Sequence, residues 1–332
     1  MVKWISFCAA FLLLASLALT AAWTKEKKLE GKSQILQPSE VVTTSIDRRK
    51  EDLIPTTSQD LAEEKVKKQT WYKNQVVILN YHHISRDKHK RFSIGPDGFA
   101  EHMAFLYEND FHPISLDEFL RFVDTGVLAT ENAVLITFDD GYESYYTEAL
   151  PILKQYGYPS VNFVIAGRLR DTAERKRENM TMPLTVQEVK EMLASGLVAV
   201  ASHTYSLHDQ TDRNEWGEFK AGTEPVYLED LARLEDEEEY RNRLYVDFTM
   251  SRVALEELVG TSIPILSLPH GYSNKIILET AKEAGYKYVF NSQPGIVKPG
   301  VPPNQIPRYN AGIREMDAAK LQQLFTSVKS KF

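Results

Sequence analysis

Two adjacent carboxylates, Asp139 and Asp140, follow directly on the apolar run 133–138 and precede Gly141. A run of this length and composition predicts a buried strand, so both acids are expected at its C-terminal end. Neighbouring carboxylates repel each other, and one is driven towards protonation unless a cation or a hydrogen-bond donor stabilises both charges. Metal binding by one carboxylate and proton transfer by the other would remove this conflict.

Two histidines complement these acids. His203 and His208 follow a second apolar run, 197–201. Five residues of a regular helix turn through about 500°, which would leave the two imidazoles about 140° apart, so one helix face cannot present both. We therefore expect them on a strand end and the loop that follows it. One carboxylate and two imidazoles form a three-ligand metal site with room for water, which is typical of a metal-dependent hydrolase.

Strand-like and helix-like segments alternate from residue 75 onwards. Apolar runs of strand length lie at 76–80, 133–138, 160–165, 198–202, 263–268 and 287–291, and helical patterns lie at 96–108, 116–125, 145–156, 185–195, 237–259 and 274–284. This alternation predicts an α/β fold, a distorted (β/α) barrel with a parallel sheet inside and helices outside. The chemistry of such folds lies beyond the C-terminal ends of the strands. Asp139, His203, Pro269 and the pair His82 and His83 all follow predicted strands.

The first 23 residues form a nearly unbroken apolar segment. Its length predicts export, with either an uncleaved membrane anchor or a cleaved signal peptide at 1–23. The polar, charge-mixed stretch 24–74 is expected to be a spacer, and 75–332 the enzyme domain. The single cysteine, Cys8, lies within the apolar segment, so the exported part lacks a disulfide. We expect a bacterial protein that is secreted or held at the cell surface through its N-terminal segment.

The polar segment 209–239 contains Trp216 and is long for a connection. Loops of this length are usually functional, so it is predicted to lie over the site, with a tolerated surface insertion as the alternative. The formal net charge of −7 gives no indication of nucleic-acid binding, which favours a basic face. No nucleic-acid partner is expected.

Several of these segments together resemble the polysaccharide deacetylases of carbohydrate esterase family 4. The resemblance rests on Leu-Ile-Thr-Phe-Asp-Asp-Gly-Tyr at 135–142 and the histidine pair at 203–208. Val-Ile-Leu-Asn-Tyr-His-His-Ile at 77–84, Leu-Pro-His-Gly at 268–271 and Ile-Pro-Arg-Tyr at 306–309 support it. It extends over residues 75–325, and it is strongest to the branch that acts on poly-β-1,6-N-acetylglucosamine.

The resemblance implies a metal centre. Asp140, His203 and His208 would bind one divalent ion, with Zn²⁺ as the preferred ion and Co²⁺, Ni²⁺, Fe²⁺ or Mn²⁺ as alternatives. The ion would polarise an acetamide carbonyl and make a bound water more acidic.

The resemblance also implies three catalytic side chains. Asp139 would be the general base that takes a proton from the attacking water. Arg308 would hold this base in place and keep it ionised, although a surface arginine is an equal alternative. His82 is the candidate for the general acid that protonates the leaving amine, with His83 and His270 as the next candidates.

Substrate contacts are expected around the same motifs. Tyr142 lies where the family forms its oxyanion site, and Pro269, His270 and Gly271 form the late motif. The family usually has an aromatic residue before this glycine, so His270 is a departure that changes the packing against the acetyl group. Trp216 could stack on a sugar ring.

The function implied is de-N-acetylation of an extracellular N-acetylglucosamine polymer, poly-β-1,6-N-acetylglucosamine, with release of acetate. The motifs equally fit a peptidoglycan or chitin-type deacetylase. The alternative from another class is a non-catalytic carbohydrate-binding protein on the same fold. A binding protein has no need of an unpaired base beside a metal, so the residues favour an enzyme.

Overall fold

The computed structural model describes residues 69–87, 92–169 and 181–329. All of them belong to one compact unit. The predicted signal peptide or anchor at 1–23, and the spacer as far as residue 68, lie outside the described residues. Among the helices of the described part, none is both long enough and apolar enough to cross a bilayer.

Most of the described strands have two or three residues, and the longer ones all lie in the main sheet. The strands are β1 (Val76–Tyr81), β2 (His83–Ile84), β3 (Ser93–Ile94), β4 (His112–Pro113), β5 (Ala133–Phe138), β6 (Ser160–Val164), β7 (Val198–Ser202), β8 (Gln210–Asp212), β9 (Phe219–Ala221), β10 (Tyr227–Leu228), β11 (Arg233–Leu234), β12 (Ile265–Ser267), β13 (Tyr288–Phe290), β14 (Ile296–Val297) and β15 (Tyr309–Asn310).

In the described part of the chain, seven α-helices accompany the strands. They are α1 (Pro96–Glu108), α2 (Leu116–Thr125), α3 (Leu150–Tyr156), α4 (Val186–Ala194), α5 (Glu237–Val259), α6 (Lys275–Glu283) and α7 (Ala318–Lys329). Several of these helices have capping residues at their ends. In α5, for example, Asp236 and Glu239 form a capping box at the N-terminus, and Gly260 ends the helix with a φ of 78°.

Six strands pair in parallel in the order β13-β12-β7-β6-β5-β1. The central strands β1 and β5 are buried along their whole length, which explains why they read as continuous apolar runs. The sheet curls back on itself through residues 306–310. Ile306 bridges Phe290 next to β13, and β15 pairs with β1. The predicted fold class, a distorted (β/α) barrel, is confirmed.

Three features differ from the sequence-based expectation. Trp71 and Tyr72, which the predicted boundary places in the spacer, are buried in the same core as the barrel. The helix α7 was not predicted, yet its Phe325 packs on Phe111 with ring centroids 4.0 Å apart. The polar segment 209–239, in which no strand was predicted, contains the hairpins β8–β9 and β10–β11. Strands of two or three residues are too short to show a period of two.

A buried histidine makes the stability of this fold dependent on pH. Tyr81 donates a hydrogen bond to Nδ1 of His102 when Nε2 of His102 donates to the carbonyl of Met316, with distances of 3.0 and 2.8 Å. Burial of His102 lowers its pKa to about 4. Between pH values of about 4 and 6.5, the imidazole is therefore neutral in the folded protein, whereas the same side chain binds a proton in the unfolded chain.

We predict that the free energy of unfolding falls as the pH drops from about 6.5 to about 4, by up to about 3 kcal/mol from this group. The contribution is fully present above the unfolded pKa and is lost below the folded one. Urea unfolding at several pH values should show a shallower dependence for His102→Gln than for the natural chain. Equal slopes in the two proteins would contradict this assignment.

Candidate active site

The functional side chains meet at the C-terminal ends of the parallel strands. Asp139 follows β5, His203 follows β7 and His82 follows β1, as the sequence predicts. They line a cavity of about 400 Å³. Its lining consists of Asn80, His82, His83, Phe92, Asp139, Asp140, Tyr142, Thr181, His203, His208, His270, Ser292, Arg308 and Asn310.

Asp140 and the two histidines form a compact cluster. Nε2 of His203 and Nε2 of His208 lie 3.3 and 3.1 Å from Oδ1 of Asp140. Burial alone would raise the pKa of Asp140, but the two imidazoles lower it well below its usual range. Oδ1 is buried, yet among the described residues no donor makes an aligned hydrogen bond to it. Three ligand atoms that converge in this way, rather than bonding one another, suit a divalent cation.

The backbone turn after β5 aims the two acids in different directions. Asp140 and Gly141 have φ angles of 74° and 64°. A Cβ on Gly141 would lie 2.9 Å from Cγ1 of Val164, so glycine is required there. A left-handed Asp140 is an uncommon and strained conformation, of the kind found at functional sites. The turn lets Asp140 face the histidines while Asp139 faces the barrel interior.

Asp139 is held by a buried arginine. Nη1 and Nη2 of Arg308 donate to Oδ1 and Oδ2 of Asp139, both at 2.8 Å, and Asn80 donates to Oδ2 at 3.0 Å. Burial alone would raise the pKa of Asp139, but the Arg308 guanidinium outweighs it and lowers the pKa to about 2. Asp139 is therefore ionised at neutral pH and fixed in orientation.

Arg308 itself is only 1% exposed, and its donors are satisfied. Beyond Asp139 it donates to Oδ1 of Asn80, Oγ of Ser267 and the carbonyl of Asn291, at 2.9, 2.8 and 3.1 Å. Its guanidinium also lies over the ring of Phe163. The alternative that the sequence left open, an arginine on the surface, is therefore wrong for Arg308.

The two neighbouring histidines have different surroundings. Nε2 of His82 lies 3.9 Å from Oδ2 of Asp139, and its buried Nδ1 has no hydrogen-bond partner in the part of the chain that the structure describes. Burial lowers the pKa of His82, although the nearby carboxylates oppose this shift. His83 instead pairs its Nδ1 with Oγ of Ser144 at 2.8 Å. His82 is thus the histidine of this pair that borders Asp139.

Only some of the predicted substrate-binding residues line the cavity. Tyr142 lines the cavity, and burial raises its pKa, so its phenol stays protonated. His270 has a φ of 56° and lies with its ring 4.7 Å from that of His208. Pro269 and Gly271 are buried and shape the turn that presents His270, without lining the cavity. Trp216 is 79% exposed at the tip of the β8–β9 hairpin, outside the lining.

Sequence reasoning missed the polar residues that support the site from within strands. Asn80 and Ser267 are buried at the C-terminal ends of β1 and β12, and both bond to Arg308. Ser267 also accepts a hydrogen bond at its carbonyl from Nδ1 of His203 at 2.9 Å, which directs Nε2 towards Asp140. A polar residue near the end of an otherwise apolar strand was the available signal.

The chain belongs to the polysaccharide deacetylase family, carbohydrate esterase family 4, and residues 127–289 match the family model. Over 268 residues it is 30% identical to a poly-β-1,6-N-acetyl-D-glucosamine N-deacetylase of Escherichia coli K12, covering 77% of this chain and 39% of that protein. Over 256 residues it is 28% identical to the protein of the same name from Staphylococcus aureus N315, covering 73% and 80%. The chain thus spans well under half the length of the Escherichia coli relative.

Solved structures agree with this assignment. A de-N-acetylase from Aggregatibacter actinomycetemcomitans superposes with a TM-score of 0.67 at 28% identity, covering 75% of this chain and 99% of that one. IcaB from Ammonifex degensii gives a TM-score of 0.62 at 25% identity, covering 76% and 97%. The relatives are named N-deacetylases, which are hydrolases of carbon–nitrogen bonds in linear amides. The predicted family is therefore confirmed.

The buried pair Arg308 and Asp139 predicts a distinctive stability cycle. Arg308→Met should lower the free energy of unfolding by about 3–5 kcal/mol, because it leaves the Asp139 carboxylate buried without its cation. Adding Asp139→Asn to this variant should recover much of the loss, since no buried charge then remains. Urea unfolding of the two single variants and the double variant measures the cycle. A double variant no more stable than Arg308→Met alone would show that the carboxylate is not the source of the loss.

Proposed function

We propose that this protein is a metal-dependent N-deacetylase that acts on poly-β-1,6-N-acetylglucosamine outside the cell and releases acetate. One observation carries the proposal: an ionised Asp139 lies beside the cluster of Asp140, His203 and His208 in a single cavity. Together these groups would supply a base and an electrophilic cation for the hydrolysis of an acetamide. The names of the relatives supply the polymer.

The proposed ligands are Asp140, His203 and His208. Their fit to a cation is supported by the buried Oδ1 of Asp140, which has no aligned hydrogen-bond donor among the described residues. One carboxylate with two neutral imidazoles suits Zn²⁺, with Co²⁺, Ni²⁺, Fe²⁺ or Mn²⁺ as alternatives. When bound, such an ion polarises a carbonyl and lowers the pKa of water.

The remaining residues would move the protons. Asp139 accepts a proton from the attacking water, and Arg308 keeps its carboxylate aimed at that position. As the C–O bond to water forms and the C–N bond breaks, the sugar nitrogen needs a proton. His82 is proposed to donate it, because it lies beside Asp139 and borders the same cavity. The products are acetate and a glucosamine unit.

An extended substrate agrees with the shape around the cavity. His270 lines both the main cavity and a second depression of about 470 Å³ beside the β8–β9 hairpin. Arg213, Lys220 and the exposed ring of Phe219 line this depression. Polar side chains and an exposed ring are suited to sugar hydroxyls and sugar faces. We propose that Tyr142 and His270 contact the reacting unit, with Pro269 and Gly271 shaping the turn that presents His270, and that Trp216 and its hairpin contact neighbouring units.

We propose that 1–23 directs export as a signal peptide or membrane anchor, and that the residues between it and Trp71 are a spacer. An extracellular biofilm polymer is then the partner. The rival substrates are peptidoglycan and chitin, since the catalytic residues would be the same for each.

Acetate release tests the proposal directly. The protein should release acetate from β-1,6-linked N-acetylglucosamine oligomers faster than from β-1,4-linked oligomers or peptidoglycan. Asp139→Asn should lose a factor of about 10²–10⁴ in turnover while it keeps its metal, because it removes the base and spares the ligands. Absence of acetate from every polymer would favour the carbohydrate-binding alternative. A preference for β-1,4-linked oligomers would contradict poly-β-1,6-N-acetylglucosamine as the substrate and favour a chitin-type polymer or peptidoglycan.

A leaving-group comparison tests His82. Amide cleavage needs a protonated nitrogen, whereas an activated acetyl ester has a leaving group that needs little protonation. His82→Ala should therefore slow deacetylation of the oligomer far more than cleavage of the ester, with unchanged metal content. His83→Ala is the matched control, because it changes the adjacent histidine that pairs with Ser144. Equal losses on both substrates for His82→Ala would make it a packing residue.

A further inference from the structure

We infer that Asp247, in the middle of helix α5, is a positioning residue that holds the loop 203–208 in the shape required for metal binding. Asp247 is 44 and 39 residues from His203 and His208 along the chain and belongs to none of the motifs above. The inference rests on the proposed metal site and deepens it.

Asp247 is a buried carboxylate whose oxygens are both used by this loop. Oδ1 accepts a hydrogen bond from the backbone N–H of Tyr205 at 2.8 Å. Oδ2 accepts from the N–H and the hydroxyl of Ser206 at 2.8 and 2.9 Å. Charge-assisted bonds of this kind are stronger than neutral ones. Three of them on two successive residues fix the middle of the segment between the two histidines.

A second residue of α5 holds the start of the loop. Ser251 lies one helical turn after Asp247, on the same face, and its hydroxyl is 2.7 Å from that of Ser202. Oγ of Ser202 accepts from the N–H of Thr204 at 3.1 Å. Thr204 has a φ of 69°, a conformation that is rarely adopted by a β-branched residue without support. The helix therefore stabilises a strained turn directly beside His203.

The opposite side of the loop is equally fixed. The N–H groups of Ala166 and Gly167 donate to the carbonyls of Thr204 and Tyr205 at 3.0 and 2.9 Å. A Cβ on Gly167 would lie 2.4 Å from the Tyr205 carbonyl oxygen, which shows how closely the two chains approach. The loop thus lies between this turn and α5. Without the hydrogen bonds to Asp247 it would be held on one side only.

His208 should depend on this support more than His203 does. The ring of His203 is oriented by its own bond to the carbonyl of Ser267. Within the described ranges, Nδ1 of His208 makes no comparable hydrogen bond, so the backbone of the loop sets the position of Nε2 relative to Asp140. A loop displaced at Ser206 would carry His208 with it.

The test measures metal affinity rather than turnover. Asp247→Asn keeps the size of the side chain but presents an NH₂ group to one of the loop N–H donors. We expect its dissociation constant for Zn²⁺, measured by chelator competition on the full chain, to rise roughly 10- to 100-fold, the usual effect of losing support behind metal ligands. The measurement is made at a temperature at which circular dichroism shows both metal-free proteins to be folded.

Glu257→Gln is the matched control, because it removes one carboxylate from an exposed position of the same helix. Its Zn²⁺ affinity should equal that of the natural chain. An unchanged affinity in Asp247→Asn would overturn the inference even if its melting temperature fell, since a purely structural role moves only the melting temperature. Equal weakening in both variants would also overturn it, because it would reflect net charge alone.

If Asp247→Asn does not fold, Ser251→Ala decides. It removes only the hydroxyl contact at the start of the loop, so a smaller rise in the dissociation constant supports the inference, and an unchanged value overturns it. A natural chain that binds no metal would remove the proposed site and this inference together. A natural chain that binds metal with an unchanged Asp247→Asn affinity would remove only the role of Asp247.

Discussion

The structure depends on how two adjacent carboxylates are kept charged in a buried place. Asp139 and Asp140 cannot share one stabilising group, because each needs its own positive partner or donors to stay ionised. Arg308 supplies this for Asp139 with a two-pronged contact, and two imidazoles converge on Asp140. The left-handed backbone at Asp140 separates the two surroundings. A proton-accepting group and a proposed cation site can then lie next to each other without competing.

The segment that closes the barrel also helps to assemble the site. Arg308 lies in the segment 306–310, which joins the β13 side of the sheet to β1. Its partners Asn80 and Ser267 come from β1 and β12, on different sides of the interior. The guanidinium therefore connects strands that are distant in the sheet while it orients Asp139. A fully satisfied polar network of this type specifies one arrangement of its members.

Helix α5 supports, in a similar way, the loop that carries the proposed ligands His203 and His208. It packs outside β7, and its inner face provides the carboxylate and hydroxyl that meet residues 202–206. The strained φ of Thr204 and the close approach at Gly167 are stabilised by the hydrogen bonds on both sides of the loop. The proposed ligands therefore lie on a rigid frame, as a site of defined geometry requires.

The sequence by itself determined the order of the main parallel strands and of α1 to α6, the acids after β5, the histidines after β7 and the family they resemble. These are local features, because apolar periodicity and motif spacing concern residues near in the chain. Only the tertiary structure decided that Arg308 reaches Asp139 across 169 residues, that Asn80 and Ser267 complete this network, and that Asp247 supports the loop. It also decided that Trp216 lies outside the cavity lining. Strand order and barrel closure bring these distant residues together, and no period or spacing in one sequence encodes which polar side chains will then face one another.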